Sequence, residues 1–61
     1  MTFTLKIEMG NDAMQFSSDL ANAVHKVANH LENINTEDLA TVGQAFIRDI
    51  NGNTVGYWRV K

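Results

Sequence analysis

The residues of this chain best suited to hold a metal ion are two histidines, His25 and His30. They stand five positions apart in a segment with helical periodicity, which places them on different faces of a helix. Paired histidine ligands on a helix are spaced by three or four residues. The chain has no cysteine that could complete a zinc site. We therefore expect both histidines to be ordinary residues of a polar helix face, and we expect no metal or other cofactor.

Ser17, Ser18, Asp19 and His25 supply the residue types of a nucleophilic triad. Serines at a helix start are better explained by capping, because their side chains accept hydrogen bonds from free backbone amides. Asp19 in the first turn suits the positive end of the helix dipole. No strand-turn-helix elbow surrounds these residues, and the glycines do not form a phosphate loop. The sequence predicts no catalytic residue and a protein that is not an enzyme.

The charged residues argue against nucleic-acid binding. The net charge is −2, and the cations are dispersed along the chain as Lys6, Lys26, Arg48, Arg59 and Lys61. Arg48, Arg59 and Lys61 could form a small basic corner, but the basic stripe of a nucleic-acid-binding domain is missing. Direct binding of nucleic acid is therefore not expected.

The length of 61 residues limits the chain to one domain, residues 1–61. A core of this size supplies only ~3–5 kcal/mol of stability, which favours dimerisation or partner binding. No apolar run approaches the ~18 residues of a membrane span, and the N-terminus does not resemble a secretory signal. We expect a cytoplasmic protein without a membrane role.

Hydrophobic periodicity predicts a β-α-β-β order. Residues 2–9 alternate as a strand, with Phe3, Leu5, Ile7 and Met9 on one face. A helix begins at Ser17 or Ser18 and ends near Asn33. Its apolar stripe faces the sheet and comprises Leu20, Ala23, Val24, Val27, Ala28 and Leu31. Residues 34–43 are expected to be a loop with one short helical turn, and residues 44–49 and 55–60 to be strands.

The expected fold is α+β, a three-stranded, mainly antiparallel sheet with one amphipathic helix packed on one face. A right-handed crossover allows the first strand to lie antiparallel beside the third or parallel beside the second. We favour the antiparallel arrangement with the third strand.

The hairpin between the last two strands allows two registers, and the register decides where Trp58 points. A two-residue loop of Asn51-Gly52 competes with a three-residue loop of residues 50–52, in which Gly52 is left-handed and the Asp49 side chain accepts turn amides. We favour the three-residue loop. It sets Ile47 opposite Val55 and Phe46 opposite Gly56, and it sends Ile47, Val55 and Tyr57 to the helix side.

Phe46 and Trp58 then lie on the uncovered face of the sheet, where adjacent exposed aromatics indicate an interaction surface. In the other register Trp58 turns inward. The candidate partner-binding residues are Phe46, Arg48, Trp58 and Arg59. Gly56 is expected to have a backbone reason for its presence, and a second interpretation makes it a flat spot under Phe46 or Trp58.

The tail Ile47-Arg48-Asp49-Ile50-Asn51-Gly52-Asn53-Thr54-Val55-Gly56-Tyr57-Trp58 resembles the closing hairpin of a group of small phage and prophage proteins. Their final stretch is similar to Arg-Asp-x-Asn-Gly-Asn-x-Val-Gly-x-Trp, after a Phe-Thr-Leu strand and an amphipathic helix. The Thr36–Gly43 loop is longer here than their usual link. The resemblance implies a viral accessory origin and the cytoplasm of a host cell, and it transfers no active site.

Small acidic phage proteins without cysteine are often stoichiometric binders of host machinery, including inhibitors of CRISPR–Cas. The leading hypothesis is therefore an anti-CRISPR-like, non-enzymatic binder of a host or phage protein complex. The alternative is a homodimeric structural or assembly protein of a phage. Mimicry of DNA by Glu32, Glu37 and Asp38 is a weaker third hypothesis, because the acids do not form a continuous run.

Overall fold

A computed structural model describes residues 1–61 as three strands and two helices. In chain order they are β1 (Phe3–Ile7), α1 (Ser17–Glu32), α2 (Thr36–Val42), β2 (Gln44–Arg48) and β3 (Thr54–Val60). All strand pairs are antiparallel, and the sheet order is β1-β3-β2. This confirms the predicted α+β class and the placement of the first strand beside the third.

The ladder between β1 and β3 runs past the ends of both strands. Within it, Phe3 pairs with Val60 and Ile7 with Gly56. Thr2 and Lys61 also exchange two backbone hydrogen bonds of 2.7 and 2.9 Å. At the other end, the Glu8 backbone amide donates to the Val55 carbonyl oxygen at 2.7 Å. The strand alternation of β1 and β3 therefore extends to residues 2, 8 and 61.

The segment predicted to be a loop with one turn is a seven-residue helix, α2. Glu37 and Asp38 lie in its first turn, where carboxylates favour the helix dipole. Leu39 packs against the core, which anchors a helix too short to be stable alone. Gly43 ends it at φ +75°, a left-handed conformation that glycine adopts without strain.

The hydrophobic core lies between α1 and one face of the sheet. Its buried apolar side chains are Met14, Ala23, Val27, Ile47, Val55 and Trp58. Met14 comes from the connection between β1 and α1. Val24 and Ala28 belong to the predicted stripe but are exposed, so the buried stripe of α1 is narrower than the periodicity indicates.

The hairpin has the predicted three-residue loop but not the predicted strand pairing. The Asp49 amide donates to the Asn53 carbonyl oxygen at 2.9 Å, and Gly52 has φ +83°. Beyond the loop a β-bulge between Ile47 and Arg48 shifts the register. Ile47 is therefore opposite Gly56, and Phe46 is opposite Tyr57. Because side chains alternate with period two, this slip exchanges the faces of Tyr57 and Trp58.

The Asp49 carboxylate is buried and connects the hairpin to the β1–α1 connection. Its Oδ1 accepts the backbone amides of Asn51 and Asn53, both at 2.9 Å. Its Oδ2 accepts the Asn11 side-chain amide at 3.2 Å. These three bonds replace water around a carboxylate that is nine-tenths shielded from solvent.

Asp49→Ala is expected to lower the free energy of unfolding by about 2 kcal/mol, because hydrogen bonds to a charged group are lost from a partly buried site. Urea denaturation followed by circular dichroism measures the loss. Asp12→Ala is the control, since Asp12 accepts only one exposed bond of 3.4 Å from Gln15, and its change is expected to stay within about 0.5 kcal/mol. Equal effects of the two substitutions would contradict the structural role of Asp49.

Candidate functional site

The sheet has one face that no other element covers, and we call it the open face. On the opposite face, Trp58 stacks on Phe3 at 5.9 Å between ring centroids and meets the edge of His30 of α1 at 5.7 Å. Strand alternation puts the neighbours of these residues on the open face. Its side chains are Thr2, Thr4, Lys6, Glu8, Gln44, Phe46, Arg48, Tyr57, Arg59 and Lys61.

The centre of the open face is a row of three residues across the three strands. Lys6 pairs with Tyr57, and Tyr57 pairs with Phe46 on its other side. Phe46 is 67% exposed, and Tyr57 is half-buried. The row borders a shallow depression of about 220 Å³, which Glu8 and Thr54 also line. The depression is smaller than the ~300 Å³ or more of an enclosing small-molecule site, so this face suits a ligand that lies across it.

Cations gather on the open face. Four of the five in the chain belong to it, and they are Lys6, Arg48, Arg59 and Lys61. Glu8 is its single carboxylate. The Arg59 guanidinium lies 5.8 Å from the Tyr57 ring centroid, a distance at which a cation is attracted to the face of an aromatic ring.

The carboxylates lie mainly on the other side of the molecule. Five of the seven belong to the helices and the connection before them, and they are Asp12, Asp19, Glu32, Glu37 and Asp38. Lys26 is the only lysine or arginine there. The net charge of −2 is thus divided between a cationic sheet face and an acidic helical side. The cations are dispersed in the sequence but gathered on one face in the fold.

Three of the four predicted contact residues lie on the open face, and one does not. Phe46, Arg48 and Arg59 are exposed there. Trp58 is 1% exposed and belongs to the core, so its predicted position on the uncovered face is wrong. The cause is the bulge, which turns Trp58 inward and Tyr57 outward. Tyr57, in turn, was predicted to face the helix.

Sequence reasoning missed Tyr57, Lys6 and Lys61 as residues of this face. Lys6 could have been predicted from the sequence, because it lies on the polar side of the alternating first strand. An antiparallel pairing with the third strand brings it to the aromatic row. The signal for Tyr57 was Gly56, since glycine inside a strand often marks a bulge. The atoms nearest to an added Cβ at Gly56 belong to the β1 backbone, so this glycine gives β1 room to approach, in agreement with the expected backbone reason.

Of the residues considered for catalysis, Asp19 has a structural role. The predicted capping by Ser17 or Ser18 is wrong, because the N-cap residue of α1 is Phe16 and both serines are already helical. Asp19 Oδ2 accepts the backbone amides of Gln15 and Phe16 at 3.2 and 3.1 Å, which stabilises the start of α1. His30 packs against Trp58, and both His25 and His30 are exposed. No group of three or more histidine or carboxylate side chains lies close enough together to hold a metal ion.

None of the family models, curated proteins or solved structures compared with the chain matches it. Neither helix has the length and apolar character needed to cross a membrane.

Proposed function

We propose that this chain is a non-enzymatic binding protein that forms a one-to-one complex through its open face. The observation that supports this is the gathering of four cations and two aromatic side chains on the one uncovered face of the sheet. Aromatic residues and arginine are the side chains enriched at interaction hot spots. The charge of the face favours a partner with a negatively charged surface.

The resemblance of the tail to small phage proteins supports a specific setting for this binding. The partner we propose is a host defence complex, which the chain would inhibit by occupying a site on it, in the manner of an anti-CRISPR protein. A standard interface covers about 800 Å² on each partner. Such a contact extends from the open face to the hairpin tip, where Ile50 is exposed.

The test is a double substitution, Phe46→Ser with Arg48→Glu, in a tagged chain expressed in a host with an active defence system. We expect capture of the defence complex to weaken roughly 30-fold or more, the effect of losing a hot spot. Plating of a phage sensitive to that defence should fall in parallel.

The matched control is Phe16→Ser with Lys26→Glu. Phe16 is 66% exposed, which is nearly the same as Phe46. Phe16 and Lys26 lie on the helical side of the molecule. This control makes the same change in charge and apolar area but should retain capture and plating. Equal losses in the two double variants, or no partner and no effect on defence for the unaltered chain, would contradict the proposal.

A homodimeric structural protein is a second candidate, supported by two half-exposed apolar side chains on β1. Phe3 is 45% and Leu5 is 37% exposed, and β1 is an edge strand whose outer side is free to pair with another chain. Two open faces cannot pack together easily, because each carries four cations. Light scattering distinguishes the candidates, since a dimer has twice the 6.8 kDa of the chain.

A further inference from the structure

We propose that the ligand of the open face is a short single-stranded stretch of nucleic acid. This inference rests on the proposed function, because it uses the same surface. It identifies the partner's chemistry at that surface, whether the strand is free or held in a larger complex. It is argued from the aromatic row, the charge of the face and the size of the platform.

Phe46 and Tyr57 provide a place for bases to stack. They are directly paired across β2 and β3, so their Cβ atoms lie about 5 Å apart on the same face of the sheet. Aromatic side chains on an open antiparallel sheet stack two or three bases in known modes of single-strand recognition. Any base can stack in this way, since every base has a flat aromatic face. Duplex bases are already stacked on each other and cannot use the row.

The cations surround the aromatic row in positions suited to a phosphate backbone. Lys6 is in the row itself, Arg59 is in the adjacent row on the central strand, and Arg48 is on the outer strand beyond Phe46. A strand whose bases lie on Phe46 and Tyr57 therefore has cations on more than one side. Arg59 also lies near the Tyr57 ring, which allows it to contact a phosphate or extend the stacking surface.

The dimensions of the face match a short strand. Three strands about 4.8 Å apart, with five residues of about 3.3 Å each, give a platform roughly 10 by 17 Å. This is a small part of the ~800 Å² that each side of a standard protein interface buries. Two or three stacked nucleotides fill it.

The experiment is fluorescence anisotropy with a labelled oligothymidine of about eight nucleotides, within the range of site sizes known for single-strand-binding domains. The comparison probes are a duplex of equal length and a polyglutamate peptide of equal charge. We expect the single strand to bind most tightly. Its affinity should fall with salt, with a logarithmic slope approaching about −3 if four cations meet phosphates.

Substitutions distinguish the contribution of base stacking to the binding affinity from the contribution of charge. Phe46→Ala should weaken binding about tenfold or more without changing the salt slope, and Phe46→Trp should restore it. Arg59→Gln should reduce the steepness of the slope by about 0.7. Phe16→Ala and Lys26→Gln are the controls from the helical side, and they should change neither quantity. Circular dichroism confirms that each variant is folded.

Three results would overturn this inference, and they differ in what they imply for the proposed function. If polyglutamate or the duplex binds as tightly as the single strand, or if Phe46→Ala has no effect, the ligand is an acidic surface of another kind and the open face remains the binding surface. If no anionic probe binds but open-face substitutions still abolish capture of a host complex, only the nucleic-acid inference fails. If neither binding nor capture depends on the open face, both fail.

Discussion

Trp58→Ala is expected to leave this chain largely unfolded in the absence of denaturant. Removing a buried tryptophan side chain costs about 3–5 kcal/mol, and a core in a domain this small supplies about the same. Trp58 is the most deeply buried residue of the core. Its ring joins β1 through Phe3 and α1 through His30, so its loss removes contacts among three elements. Far-ultraviolet circular dichroism and thermal melting measure the effect.

Phe46→Ala is the control for this substitution, because it truncates another aromatic residue of the same hairpin. Phe46 is on the open face, away from the core, so its replacement should change stability by no more than about 0.5 kcal/mol. The fluorescence of the single tryptophan provides a second measurement, and it should resist quenching by acrylamide in the unaltered chain. A larger loss of stability from Phe46→Ala than from Trp58→Ala would contradict the bulged register.

The hairpin shows which part of the fold could be predicted from local sequence. The loop depends on neighbouring residues only, because Asp49 accepts the turn amides and Gly52 supplies the left-handed conformation. The register beyond the loop depends on the whole domain. Without the bulge, Tyr57 would enter the core with a hydroxyl that needs a partner, and the larger Trp58 would be exposed. A bulge removes about one ladder hydrogen bond, which contributes ~1 kcal/mol to stability. This loss is smaller than the stabilisation from burying Trp58.

The open face was only partly predictable for a similar reason. Phe46 and Arg48 could be identified from the alternation of β2 alone, whereas Arg59 reaches this face, with Tyr57, only because of the bulge. Lys6 lies beside Tyr57 only because β1 pairs with β3 rather than β2. Charge segregation in a folded chain is a property of strand order, and the linear sequence gives no direct measure of it. The same holds for α2, whose second turn depends on the packing of Leu39 against residues distant in sequence.

Gly56→Ala is expected to lower the free energy of unfolding by about 3 kcal/mol, at the upper end of the usual cost of an overpacked site. Gly56 lies next to the bulge of the central strand and pairs with Ile7. A Cβ there would overlap the Lys6 carbonyl oxygen and lie 2.9 Å from the Ile7 Cα. Both obstacles are backbone atoms, so no change of rotamer can relieve the contact. The strain can be relieved only if β1 moves away from β3.

Gly10→Ala is the matched control, because no atom lies within 4 Å of its added Cβ. Its cost comes from the positive φ of 117° and is expected to be about 1–2 kcal/mol. Urea denaturation compares the two stabilities, and hydrogen exchange shows which strand loosens. In Gly56→Ala the amides of β1 should lose protection more than those of β2. Because Lys6 belongs to β1, this variant should also weaken the binding of any ligand that contacts all four cations of the open face. A Gly56→Ala chain that is as stable as Gly10→Ala, with the β1 amides still protected, would contradict this prediction. It would mean that the close approach of β1 at Gly56 does not maintain the bulged register, which determines the residues of the open face.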